Sequence, residues 1–121
     1  MTVLLIALAG GLGAATRFLV DSWVATRWRA TMPTGTVVVN VTGSLGLGML
    51  TGWAMRHSGG GDVAAVLGTG FLGGYTTFST ASVEAVRLAR GGRAGTALFH
   101  ALLMVLLSLA AASLGLWLAG P

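Results

Sequence analysis

The sequence predicts an all-α integral membrane protein, a single domain crossing the bilayer in four transmembrane helices. Three observations carry this. The chain has 121 residues, 55% of them hydrophobic and only 8% charged, whereas a soluble domain carries about 25% charged residues. Its mean hydropathy is +0.85. Four apolar stretches each reach the roughly 20 residues that a helix needs to cross the hydrocarbon core, and they leave only short hydrophilic connections with no strand alternation and no internal repeat.

The first span covers about residues 2–25. Its Ala7-Leu8-Ala9 sequence imitates a signal-peptide cleavage site, but no Lys or Arg precedes it, so the segment is kept as a span. The connection that follows contains Arg27, Arg29 and Pro33. Pro33 suits the start of a helix, where its missing N–H is not needed. The second span, about 34–55, carries Thr36, Asn40, Ser44, Gly48 and Gly52 at intervals of four. Small residues so spaced let helix backbones approach, so this face meets protein rather than lipid, with Asn40 as an interhelical hydrogen-bonding group. Residues 56–62 form a Gly-rich turn ending in Asp62, which suits an N-cap. The third span runs from about 63 to 84. A basic connection, 87–93, with Gly91 and Gly92, leads to the fourth span at about 95–119.

Inside the third span lies Gly70-Phe71-Leu72-Gly73-Gly74-Tyr75-Thr76-Thr77-Phe78-Ser79-Thr80. Two adjacent glycines followed by β-branched threonines weaken a continuous helix, and non-helical backbone at this depth survives only where protein or a cavity surrounds it. The third helix is therefore expected to break near its middle. Freed carbonyls there suit a cation, while half-helix amino ends and the hydroxyls of Thr77, Ser79 and Thr80 offer donors to an anion. The positive ring edge of Phe78 tolerates an anion that its face would repel. Arg17, with Asp21 one turn later, reads either as an anion-attracting group or as a structural, snorkelling arginine neutralised by its neighbour.

Several function classes are excluded. There is no Cys, hence no disulfide or thiolate metal site. The net charge of +4 comes from seven arginines scattered over spans and loops, which make no basic face for nucleic acid. No phosphate-binding loop, paired carboxylates or His-Glu-x-x-His helix supports an enzyme. His57 falls in a loop and His100 stands alone on the fourth span.

Three ordered motifs resemble those of the Fluc fluoride channels, also called the CrcB family. The first span has Gly10-Gly11-Leu12-Gly13-Ala14-Ala15-Thr16-Arg17-Phe18, the second Gly35-Thr36 followed by Asn40 and Gly43-Ser44, and the third Gly73-Gly74-Tyr75-Thr76-Thr77-Phe78-Ser79-Thr80. The resemblance covers the chain from end to end. It implies a fluoride-specific channel in the cell membrane, a bacterial inner membrane, that exports fluoride passively and limits its toxicity in the cytoplasm. It further implies an antiparallel dimer with anion pathways along its interface and a structural sodium ion (Na+) at its centre. By motif, Gly73 and Thr76 supply backbone carbonyls to sodium, Asn40 donates its amide to fluoride, and Phe78 presents its ring edge. Ser79 and Thr80 fall on the family's polar track, and Ser108 resembles its fourth-span serine. Two positions depart from the pattern, Ala81 and Met104, where the family commonly has aromatic residues.

The partner is either a second copy or a homologous second subunit. Arg27, Arg29, Arg87, Arg90 and Arg93 flank the first and third connections, against Arg56 alone on the other side. The positive-inside rule then puts those connections in the cytoplasm and both termini outside. A fixed orientation favours a homologous subunit inserted the opposite way. Two other classes share the four-span pattern. A small multidrug-type, proton-coupled cation exporter needs an embedded carboxylate, for which Asp21 is the candidate. A non-transporting assembly subunit leaves the cluster at 73–80 unexplained.

Overall fold

The computed structural model describes residues 1–28 and 33–120, and Arg29 of the first connection lies outside the described residues. All regular structure among the described residues is helical. Helix α1 spans Thr2–Arg27, α2 Thr34–Arg56, α3 Gly61–Ala64, a π-helical segment Ala65–Leu72, α4 Gly73–Tyr75, α5 Ser79–Arg90 and α6 Ala94–Ala119. Helices α1, α2 and α6 are long and apolar enough to cross a membrane. The stretch expected to supply another crossing is divided into the shorter pieces between residues 61 and 90, and residues 76–78 belong to none of them.

Local chemistry explains most boundaries. Pro33 occupies the N-cap of α2 with φ −73°, as its fixed ring favours. Asp62 does not act as the expected N-cap. Gly60 takes that position, α3 starts at Gly61, and Asp62 sits in the first turn, where its negative charge still complements the helix dipole. The basic connection is shorter than hydropathy suggests, because α5 continues through Arg87 to Arg90. It ends where Gly92 adopts φ +77°. There the N–H of Gly92 bonds Ala89 O and that of Arg93 bonds Leu88 O, a Schellman closure that requires a left-handed residue.

Packing is backbone against backbone. Helix α2 runs parallel to α6 in a register of 64 residues, pairing Asn40 with Met104. A Cβ placed on Gly48 would run into the Ala112 carbonyl, and one on Gly115 into that of Leu45. The small-residue stripe is thus the α2 face that meets α6, with Thr36, Asn40, Gly48 and Gly52 all buried. Helix α1 packs in the same way on the π-helical segment and α4, with Gly13 on Phe71 and Gly10 on Gly74. Outside these contacts the helices present large apolar side chains, including Leu4, Leu8, Leu12 and Phe18 on α1.

Candidate functional site

The chain leaves the helical conformation at Thr76, which is extended at φ −78°, ψ 161°. Asn40 of α2 reaches this point. Its Oδ1 accepts from the Thr77 N–H at 2.8 Å, and its Nδ2 donates to the Thr77 carbonyl at 2.9 Å, so one carboxamide satisfies both backbone groups of one residue as a neighbouring strand would. The Thr77 hydroxyl accepts from the Thr80 N–H at 3.1 Å and donates to Thr80 Oγ1 at 3.0 Å. It therefore caps the first turn of α5.

These bonds decide which carbonyls are released. In an unbroken helix the Thr77 N–H would bond Gly73 O and the Thr80 N–H would bond Thr76 O. Here Asn40 and the Thr77 side chain take both donors. The carbonyls of Gly73 and Thr76 thus lack these helical donors, both residues border one cavity, and carbonyl oxygens would suit a hard cation such as sodium. The glycine pair itself stays helical, and the chain departs from the helix at the threonines that follow it. Gly73 has helical angles, φ −63°, ψ −38°. Gly74 lies within α4, where a Cβ would strike Gly10, so it serves close packing while Asn40 and Thr77 hold the break.

Two cavities flank Thr77. The larger, about 480 Å³, is bordered by Asn40, Gly73, Thr76, Phe78, Met104 and Ser108. The smaller, about 210 Å³, is bordered by Arg17, Asp21, Thr36 and Thr80, and Thr77 contributes to both walls. Ser108 borders the larger one, and its hydroxyl is buried without a hydrogen-bond partner among the described residues. Phe78 beside it is 84% exposed. The second Asn40 N–H points to Met104 Sδ at 3.3 Å. Of the two departures from the family pattern, Met104 thus borders the groove, while Ala81 is buried within the subunit. Ser79 is exposed and touches Thr77 Oγ1 at 3.3 Å. Among the described residues Arg17 and Asp21 form no ion pair, although they share a cavity wall. Asp21 instead lies against Gly35 in the first turn of α2, a favourable place for a carboxylate.

Sequence reasoning missed one pairing. Thr36 donates to Glu84 Oε1 at 2.7 Å, and Glu84 Oε2 is buried with no partner among the described residues. The available signal was an acidic residue at the edge of an apolar span, which is costly and points to function or pairing. The neighbouring His100 is 2% exposed, and its Nε2–H donates to the Pro33 carbonyl at 3.2 Å.

Residues 4–116 match the family described as CrcB-like protein, Camphor Resistance (CrcB). The chain is 50% identical over 120 residues to fluoride-specific ion channel FluC 1 of Leifsonia xyli subsp. xyli, covering 99% of this chain and 88% of that protein. It is 49% identical over 117 residues to fluoride-specific ion channel FluC 2 of Cutibacterium acnes, covering 96% and 95%. Identity to fluoride-specific ion channel FluC of Syntrophotalea carbinolica is 42% over 120 residues, with 98% of each chain covered. These names describe ion channels, not enzymes or proton-coupled exporters.

Proposed function

This chain belongs to the CrcB-like family, and from that premise we propose that it is a subunit of a fluoride-specific channel that lets fluoride leave the cytoplasm passively and so limits its toxicity. The observation that carries the reading is a pair of polar residues bordering the larger groove: Asn40, whose amide is fixed by the Thr77 backbone, and Ser108, whose buried hydroxyl has no hydrogen-bond partner among the described residues. Fluoride is small and tightly hydrated. A selective path must replace its water with aimed donors, and donors held in a water-poor site act strongly on a charge.

Residues 61–90 form one interrupted crossing, which with α1, α2 and α6 makes four in a bacterial cell membrane. Fluoride passes Asn40 and Ser108, with the Phe78 ring edge as a further contact, and Ser79 and Thr80 continue the polar path on the far side of Thr77. Arg17, bordering the smaller cavity, draws the anion toward that end. The carbonyls of Gly73 and Thr76 would hold a structural sodium ion, whose charge offsets two backbone acceptors without helical partners. Phe78 stands clear of its own subunit, which supports assembly with a second subunit in an antiparallel dimer that covers it. Expression in a bacterium that lacks its own fluoride exit route tests the reading. Growth in fluoride should be restored, with the predicted homologous partner supplied if needed; persistent sensitivity with both present at the membrane would count against it.

A further inference from the structure

The Asn40 carboxamide has a defined orientation. The Thr77 N–H needs an acceptor, and only Oδ1 can serve, so Nδ2 is the atom that meets Thr77 O at 2.9 Å and Met104 Sδ at 3.3 Å. One N–H therefore belongs to the backbone of the break. Among the described residues the other meets only a thioether, a weak acceptor. Both side chains are almost fully buried, Asn40 at 8% and Met104 at 9% exposure. Both border the same groove as the unpartnered Ser108 hydroxyl, which lies one helical turn beyond Met104 on α6.

We propose that Met104 is an affinity-determining residue: its sulfur caps the Asn40 N–H that Thr77 does not hold when no anion is present, and an anion arriving along the groove that both residues border must displace it. This rests on the fluoride-channel reading of the same groove. The chemistry suits a displaceable cap. A buried N–H left bare is unfavourable, so the sulfur stabilises the empty path. An anion makes a charge-assisted bond, about twice as strong as a neutral one, and so outcompetes the thioether. Methionine is unbranched, with three rotatable side-chain bonds, and can swing aside without moving α6. Its neighbour in register, Asn40, cannot follow, because the Thr77 backbone holds it at two points.

Asn40 is the only carboxamide side chain in the sequence, so its NH₂ group gives the one side-chain amide pair in a proton–nitrogen NMR spectrum of the labelled, assembled protein. Two titrations of that pair, with fluoride and with chloride, are compared for wild type and Met104→Leu, alongside the fluoride concentration that gives half-maximal flux. Met104→Leu is close in volume and lacks the acceptor. It should move one of the two amide protons and leave the Thr77-bound proton in place. Fluoride, but not chloride, should move that same proton in wild type. With the competitor gone, half-maximal flux should need about two- to fivefold less fluoride, the factor expected for losing one weak hydrogen bond. Unchanged amide protons in Met104→Leu overturn the inference whatever the flux. A wild type that conducts fluoride with both protons unmoved also overturns it, and leaves the channel reading standing. A proton that responds to Met104→Leu but never to fluoride, in a protein without flux, brings down the channel reading and the displacement with it. If Met104→Leu does not assemble, the wild-type fluoride titration decides alone.

Discussion

At Ser108 stability and function separate cleanly. Its buried hydroxyl bonds nothing among the described residues, so Ser108→Ala removes no hydrogen bond there and should leave stability within about 1 kcal/mol of wild type. If that hydroxyl meets the anion, flux falls about tenfold or more, the worth of one hydrogen bond to a charged group. Thermal unfolding in detergent and fluoride efflux read the two quantities separately, and unchanged flux would remove Ser108 from the path. Asn40→Asp should lose both. It puts an oxygen without a hydrogen, when ionised, opposite the Thr77 carbonyl that now accepts from Nδ2. A stability loss of about 1–3 kcal/mol together with collapsed flux is expected, and normal conduction would exclude the donor role. Asn40 was legible in the sequence because a lone carboxamide in an apolar span is costly and must have a partner. Its partner was not, because Thr77 lies 37 positions away and nothing in its identity marks it. The Thr36–Glu84 bond was hidden for the same reason, 48 positions apart.

Among the elements, the interlocking of α2 with α6 is the strongest structural constraint. Gly48→Val would force the Ala112 backbone away and should cost about 1–3 kcal/mol, while Gly11→Ala, where an added Cβ meets nothing within 4 Å, should be tolerated. Equal losses at both positions in a detergent unfolding series would contradict the packing. The long helices and the buried stripe on α2 were readable because apolar length and four-residue spacing are local properties. The position of the break was only approximately readable. Gly73 and Gly74 look like the weak point from helix propensity alone, yet both stay helical, and the helical conformation ends at Thr76, where a side chain from another helix takes the Thr77 N–H. The π-helical turns of Ala65–Leu72 left no mark in the sequence. Hydropathy detects apolar content and so did not show that α5 continues as a helix through Arg87 to Arg90, with a polar side.

For the whole molecule, orientation and assembly remain to be tested together. The arginine distribution predicts both termini outside the cell, and the absence of Cys makes single-Cys variants at either terminus clean reporters. Labelling of intact cells from the outside alone would fix one orientation and call for a homologous partner in the antiparallel dimer. Equal labelling from both sides would instead allow two copies of this chain to pair. The most direct test of the central claim is ion efflux from liposomes containing this chain, alone and with its homologous partner, with fluoride and chloride measured in parallel. Fluoride should leave rapidly in at least one of the two preparations while chloride is retained, and Asn40→Asp should abolish the efflux. Liposomes that hold their fluoride in both preparations, or release chloride as readily, would contradict the account.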